Sequence, residues 1–566
     1  MLDIRNELLA DPNSEESLIL DQCKKLARQV KAQIASWPLQ PDFRDYIPSR
    51  DLSDRLVDSY FRTFESVYRV LHVPSFRQEY EQYWQNPQVA NTVFVVKLLL
   101  VLAIGTSFQS DGSEFESRHS LALQCIYAAQ SWLSLPNAKS RLNIGGLQVQ
   151  CLLIIARQTC AVDGDLVWIP AGSLLRSAIH MGLHRDPSDL PKSNQFHDEM
   201  RRRLWATILE LTVQSCMDTG GPPLITFQDF DCQPPANISD EDLEENMQST
   251  VSPQHAGNFT QTSLQIMLFK SLSVRLQIAK LLNDFTSNPS YEEVLRLGKE
   301  LTVLCSSNSM MLEAFSLNEQ SNHAQQNAFR KNLLQLMTHR FLLALHHPWA
   351  IRARADPNYY YSRKVCTETA LFLLHQSAIA RSQAPGQEWD DYTCLIVYGG
   401  ALYRAVILHA SIICDLELIY LFQEDLFALD PSRGAVSRRE LRDALANFKA
   451  LLACRLRRGE TNVQGYVFVA GVLAHVDAME AHRPPKGEMM QAMLDALRFC
   501  KGILTARIEA ITPRVEHVSP EESGPGADQL NGAMNWDEWV GFRFYIFSYQ
   551  GASNMPRNDL QYWEIC

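Results

Sequence analysis

The stretch from Ala171 to Pro223 constrains this chain more than any other part of it: AGSLLRSAIHMGLHRDPSDLPKSNQFHDEMRRRLWATILELTVQSCMDTGGPP. Leu174, Leu175, Ala178, Ile179 and Leu183 recur at three- and four-residue steps, the spacing of one buried helix face, with Arg176 on the flank. Gly182 and the Asp186-Pro187 pair stop that helix, since glycine closes a helix easily and proline cannot continue one. A second helix opens with Glu199, where a carboxylate suits the positive end of the helix dipole. Arg201, Arg202 and Arg203 follow, and Leu204, Trp205, Ile208, Leu209 and Leu211 supply its apolar stripe. Gly220-Gly221-Pro222-Pro223 ends it. The run encodes two helices and a sharp return, and it holds no nucleophile, phosphate cradle or complete metal site.

The same periodicity continues from Ser53 almost to the end of the chain. Helices are expected at about 92–108, 117–134, 146–160, 168–182, 198–218, 261–285, 291–317, 323–346, 360–381, 402–424, 438–454 and 486–510. Pro74 is expected to break the chain after Val70-Leu71-His72. Alternating β patterns are almost absent, so the fold class is all-α, a large multi-helix domain whose helices each bury one stripe. Residues 1–48 read as a polar leader with one amphipathic helix at about 14–37, ended by Pro38, Pro41 and Pro48. Residues 49–512 read as the helical domain and 513–566 as a linker and tail. Loops are expected at 111–116, 221–254, 381–391 and 513–531.

Lysine and arginine number 52 against 64 aspartates and glutamates, a formal charge of −12 and a pI near 5.7. Such a surface does not suit a chain that binds nucleic acid as a whole, which needs clustered cations to displace phosphate counterions. The 13 cysteines sit singly, with no Cys-x2-Cys spacing, and Cys23 alone precedes Cys125. Local spacing therefore assembles no zinc cluster, and the thiols read as small reduced core residues. The residues after Met1 carry no secretory pattern, and the longest apolar run, Val93 to Ile104, is interrupted by Lys97 and falls short of the roughly 20 residues of a membrane span. A soluble, intracellular chain with no membrane partner is expected.

Local constellations have bland readings beside sharp ones. Arg201 to Arg203 could form a nucleic-acid patch, but consecutive helix positions fan around the axis and Trp205 beside them wants burial, which favours bridges to carboxylates on neighbouring helices. His180 and His184 have metal-ligand spacing on one helix face, without the glutamate or third ligand that a site needs. Asp163-Gly164-Asp165 is a fragment of a calcium loop and reads as a turn. No catalytic, cofactor or metal residue is assigned. Near the C-terminus Trp536, Asp537, Glu538 and Trp539 combine acid and aromatic groups after a Pro/Gly/Glu-rich run, the composition of a short activating segment. The alternative is that these aromatics pack back onto the helical body.

These residues resemble the regulatory domain of fungal-specific transcription factors, the middle homology region usually attached to a Zn(II)2Cys6 cluster. Gly172, Arg176 and Ala178 lead into Gly182-Leu183-His184-Arg185-Asp186-Pro187, and Glu199, Arg201, Arg202, Arg203, Leu204 and Trp205 match the family's second helix. Tyr60-Phe61 and Val70 to Phe76 resemble its entry segment, and Leu345 to Trp349 and Tyr361-Ser362-Arg363 its later elements. Departures are Ala206 for a second tryptophan, Gly221-Pro222 for Gly-Arg-Pro, Glu210 at the mid-helix acidic position, and no cluster cysteines in the N-terminal region.

The resemblance implies a nuclear fungal transcription regulator, controlling a metabolic or secondary-metabolite gene set through a helical interaction domain. It implies promoter contact through a DNA-bound partner regulator or through a zinc cluster missing from this chain, zinc being a cofactor only in that case. Candidate partners are a coactivator, a small-molecule inducer and a second copy or related subunit in a dimer. The competing class is a helical small-molecule-binding protein or enzyme with no role in transcription.

Overall fold

The computed structural model describes residues 14–35, 42–109, 115–135, 138–163, 166–190, 194–245, 250–284, 289–318, 324–376, 389–400, 404–425 and 432–511. The expected tail segment, including Trp536, Asp537, Glu538 and Trp539, and residues Gly164 and Asp165 lie outside them. The described residues form α-helices and short 3-10 turns, and no strand occurs among them. The helices are α1 (Glu15–Ala35), α2 (Arg50–Arg62), α3 (Glu65–Tyr68), α4 (Val73–Gln85), α5 (Thr92–Gly105), α6 (Phe115–Ser134), α7 (Ile144–Thr159), α8 (Trp168–His180) and α9 (Gln195–Thr219). There follow α10 (Ser263–Asn283), α11 (Tyr291–Asn318), α12 (Ala324–Arg352), α13 (Tyr360–Gln376), α14 (Asp391–Tyr398), α15 (Arg404–Asp425), α16 (Ser432–Arg457), α17 (Gln464–Glu480) and α18 (Pro485–Ile511).

The chain forms two compact units, one of residues Met1–Trp37 with Leu452–Cys566 and one of Pro38–Leu451. In the first, Ile19 and Cys23 of α1 share a core with Val467 and Ala470 of α17 and with Leu497, Cys500 and Leu504 of α18. The helix expected in a separate leader thus packs with α17 and α18, a pairing that no local pattern encodes. Val-rich α17 was not expected as a helix. Its valines favour strands locally, but Val467, Val469, Val472 and Val476 are all buried, and packing overrides propensity.

In the larger unit α5 is apolar all round, so it can only be a central helix, and everything from Leu98 to Gly105 is buried. The helix α9 is buried from Arg203 to Met217 and packs against α7, α8 and α10. The expected break before Pro74 falls between α3 and α4, and Pro74 itself belongs to the new helix. It occupies the first turn of α4, where its missing N–H costs nothing, and the His72 side chain caps the same turn by accepting the Ser75 N–H. Pro348 fails to end α12, which runs on to Arg352 as Trp349 packs between Tyr291 and Tyr359, each ring centroid 4.9 Å away.

One helix segment, Ala405–Glu424, is long and apolar enough to cross a membrane, which the reading of apolar runs had not identified. Half of it is buried against protein, and it carries Asp415, Glu417 and Glu424. Arg363 of α13 donates to Glu417 at 2.7 and 3.0 Å and to Glu424 at 3.2 Å. Each carboxylate at a bilayer centre would cost about 3 kcal/mol, so this helix has the character of a core element.

Candidate functional site

The motif residues singled out between Gly172 and Trp205 lie at the junction of α8, α9 and the long connection from Gly221 to Thr262. Among its described residues that connection has one turn of 3-10 helix, Asp240–Asp242, and side chains grip its backbone. Gly182 adopts a left-handed φ of 76°, which a residue with a Cβ would resist, and reverses the chain after α8. The Gly182 carbonyl accepts from Arg201 at 2.8 Å, fixing the turn to α9.

Beyond the turn, the His184 carbonyl accepts the backbone N–H groups of Asp231 and Cys232 at 3.1 and 3.2 Å. Arg185 donates to Asp231 at 2.7 Å, and the Asp186 N–H donates to the other Asp231 oxygen at 2.8 Å. The buried Asp186 carboxylate receives two guanidinium bonds from Arg202, at 2.7 and 3.0 Å, and the backbone N–H of Gln233 at 2.9 Å. Burial alone would raise the Asp186 carboxyl, but the Arg202 bonds, with those from Ser188 and Gln233, hold it well below the usual carboxylate range. Glu199 accepts from Arg202 at 2.7 Å and from the Ala236 N–H at 2.8 Å. Gln195 exchanges two bonds with the backbone of Val251, at 2.8 and 2.9 Å.

The deepest contact is made by Arg203, which has no exposed surface. It donates to Asp240 at 2.7 Å and to the Ile238 carbonyl at 3.2 Å. Asp240 also pairs with buried Arg69, which follows α3 in a left-handed conformation of φ 55°. Its other oxygen takes the Val73 N–H at 3.1 Å, and its carbonyl meets His72 Nε2 at 3.0 Å. Arg69 lies 3.7 Å from Glu65, whose carboxylate accepts the Tyr60 hydroxyl at 2.6 Å and the Leu71 N–H at 3.0 Å. The entry segment at 60–76 and the α8–α9 motif are therefore two sides of one buried ionic cluster.

Farther along α9 a second cluster continues the same face. Glu210 is held by Arg275 through two 2.7 Å bonds, and Gln214 donates to it at 2.8 Å. Arg340 joins Gln214 at 2.9 Å to Asp218 at 2.6 Å. Residues 199, 203, 207, 210, 214 and 218 advance by three or four, so they form a single polar seam along α9 that faces protein rather than water.

Two motif residues act through shape. Leu224 lies over Gly172, where a Cβ would come 2.9 Å from its methyl, and Trp205 is fully buried, edge-on to Phe230 at 5.7 Å. Arg176 is exposed on α8. The expected His180–His184 pair does not share a helix face, because α8 ends at His180 and the left-handed Gly182 turn intervenes. Among the described residues no group of three or more His, Cys, Asp or Glu is placed to hold a metal ion, so they do not fit a zinc cluster.

Sequence reading missed Glu65, Arg69, Asp240, Arg275 and Arg340. Their signal was weak, since Glu65, Arg69, Arg275 and Arg340 are single charges among apolar neighbours and Asp240 opens an acidic run that reads as a solvated loop. Among the described residues Ser75 Oγ lies 2.7 Å from His72 Nδ1, on a ring whose Nε2 is tied to the Asp240 carbonyl, and Ser362 Oγ lies 2.9 Å from His346 Nδ1. Ser362 has no exposed surface and donates its proton to the Tyr291 oxygen at 3.1 Å, while burial pushes His346 down to about 4. The pair holds α11, α12 and α13 together and offers no path to a substrate.

Residues 57–344 match the family model described as the fungal specific transcription factor domain. Over 528 residues, 91% of the chain, it is 37% identical to "Transcription factor lepE" of Aspergillus flavus, covering 62% of that protein. It is 34% identical to "Transcription factor opdR" of Penicillium oxalicum across 91% of the chain and 67% of the relative. To the "Aspyridones cluster regulator apdR" of Emericella nidulans it is 30% identical across 76% of the chain and 58% of the relative. The chain thus spans about three fifths of the length of these relatives.

Proposed function

The chain belongs to the fungal specific transcription factor family, and from that premise we propose that it is the regulatory body of a nuclear transcription regulator that controls a secondary-metabolite gene set. The observation that carries this reading is the continuous similarity, across 91% of the chain, to two proteins named as transcription factors. The name of a third, a cluster regulator, supports the choice of gene set.

The geometry supports a scaffold rather than a catalyst. Arg202 and Arg203 spend their charge on buried carboxylates and Arg201 donates to a backbone carbonyl, so promoter contact is assigned elsewhere: to a zinc cluster of a whole family protein or to a DNA-bound partner regulator. The helical body then presents a coactivator-binding segment, for which we propose Trp536, Asp537, Glu538 and Trp539, and a small-molecule inducer or a dimer partner shifts the balance between masked and released states.

The test is a tethered reporter. Residues 1–566 fused to a heterologous DNA-binding domain should drive transcription, and the same fusion ending at residue 512 should lose most of that output. Equal output from both fusions removes the activating role from the tail.

A further inference from the structure

Between α3, α9 and α10 lies a cavity of about 10 Å³, lined by Val67, Tyr68, Ala206, Thr207, Glu210, Gln265, Leu268, Phe269 and Leu272. Two polar side chains on its wall decide what it can hold. Gln265 is only 3% exposed, and its Nε2 donates to the Tyr68 carbonyl at 2.9 Å, the Arg203 carbonyl at 2.7 Å and Thr207 Oγ1 at 2.9 Å. Its Oε1 is buried with no protein hydrogen-bond partner. Reversing the amide would not help, since it would place that oxygen against two backbone carbonyls. The second is Glu210, whose Oε2 receives one bond, from Arg275 at 2.7 Å, and keeps a lone pair to spare.

A buried carbonyl oxygen left without a donor costs about 1–3 kcal/mol, and a polar cavity needs only about 10–15 Å³ to admit one water. We propose that this cavity is a binding site for a single water molecule, which donates one hydrogen bond to Gln265 Oε1 and the other to the Glu210 carboxylate. The site goes beyond the regulatory role proposed above and does not depend on it. It also has a structural consequence. Gln265 belongs to the Arg203 cluster through the Arg203 carbonyl, and Glu210 begins the cluster of Arg275, Gln214, Arg340 and Asp218. The water joins the two hydrogen-bond networks across the polar seam of α9.

A high-resolution crystal structure of the full chain tests this directly. It should show one density peak within about 3.2 Å of Gln265 Oε1. Val67→Ile adds one methyl group toward the cavity and should remove that peak while lowering Tm by about 2 °C, because the oxygen loses its donor. A cavity without the peak overturns the proposal, whatever the variant does. A Val67→Ile protein that melts higher than the wild type also overturns it, since filling a dry void stabilises.

Discussion

Asp240 is the residue on which the α8–α9 junction depends most, and its removal has a calculable cost. Two guanidinium groups, on Arg69 and Arg203, share this one carboxylate, and both side chains are at most 2% exposed. Burial by itself would raise the Asp240 carboxyl, but Arg69 and then Arg203, aided by the Val73 N–H, hold it well below the usual carboxylate range. In Asp240→Ala, Arg69 keeps Glu65 at 3.7 Å, whereas Arg203 keeps only the Ile238 carbonyl. Stranding a buried cation costs about 3–5 kcal/mol, and the lost Val73 bond adds about 1 kcal/mol. The sum, about 4–6 kcal/mol, is a large fraction of the roughly 5–15 kcal/mol that holds a domain folded. Asp240→Asn keeps an acceptor and should cost less, about 3 kcal/mol. Replacing Arg203 by Met in the Asn background should restore part of the loss, because it withdraws one of the stranded charges. Urea unfolding followed by far-UV circular dichroism measures all three. A loss below about 1 kcal/mol in Asp240→Ala would refute the reasoning that the ionic cluster clamps this connection.

Glu65 gives a pH dependence of opposite sign to that of an ordinary ion-paired acid. Burial, the largest influence, pushes its carboxyl from 4.5 up to about 7 against the pull of Arg69 and the Tyr60 hydroxyl, so folding takes up a proton. The stability from this group is full below about pH 4.5 and is lost as pH rises through about 7. Glu65→Gln should flatten the urea midpoint across that window, and an unchanged slope would exclude Glu65 as its source. Gly298→Ala in α11 should destabilise, although helix propensity alone predicts a gain of about 1 kcal/mol. The new methyl would sit 2.4 Å from Nε2 of His346, a ring tied to Ser362 at 2.9 Å, and overpacking of this kind costs about 1–3 kcal/mol. A rise in Tm would show that the ring moves freely.

The all-α class was legible because the three- to four-residue period of apolar side chains survives any tertiary arrangement. The stop after α8 was legible for a similar reason, since Gly182 and Pro187 act through their own backbones. What the sequence hid was direction. Glu199, Arg203, Thr207, Glu210, Gln214 and Asp218 repeat at helical spacing, which normally marks a solvated face. Here that face is buried, because the entry segment, α10, α12 and the 221–262 connection each bring a charge or carbonyl to meet it. Those partners lie between 35 and 139 residues away in the chain, beyond the reach of local pattern. The same limit applies to Arg201–Arg203. A bridging role was expected, but the acceptors proved to be a turn, the α9 helix itself and a 3-10 segment rather than neighbouring helices. The expected break before Pro74 is present, with Pro74 itself in the first turn of α4, whereas α12 runs through Pro348 beyond the expected end at His346.

The central claim, that this chain governs a gene set, is most directly tested by sequencing transcripts from a strain that carries its gene and from an otherwise identical strain that lacks it, under conditions where the gene is expressed. A regulator of a secondary-metabolite gene set should change a small group of physically clustered genes together, and re-introducing the gene should restore them. Identical transcript profiles in the two strains would contradict the claim.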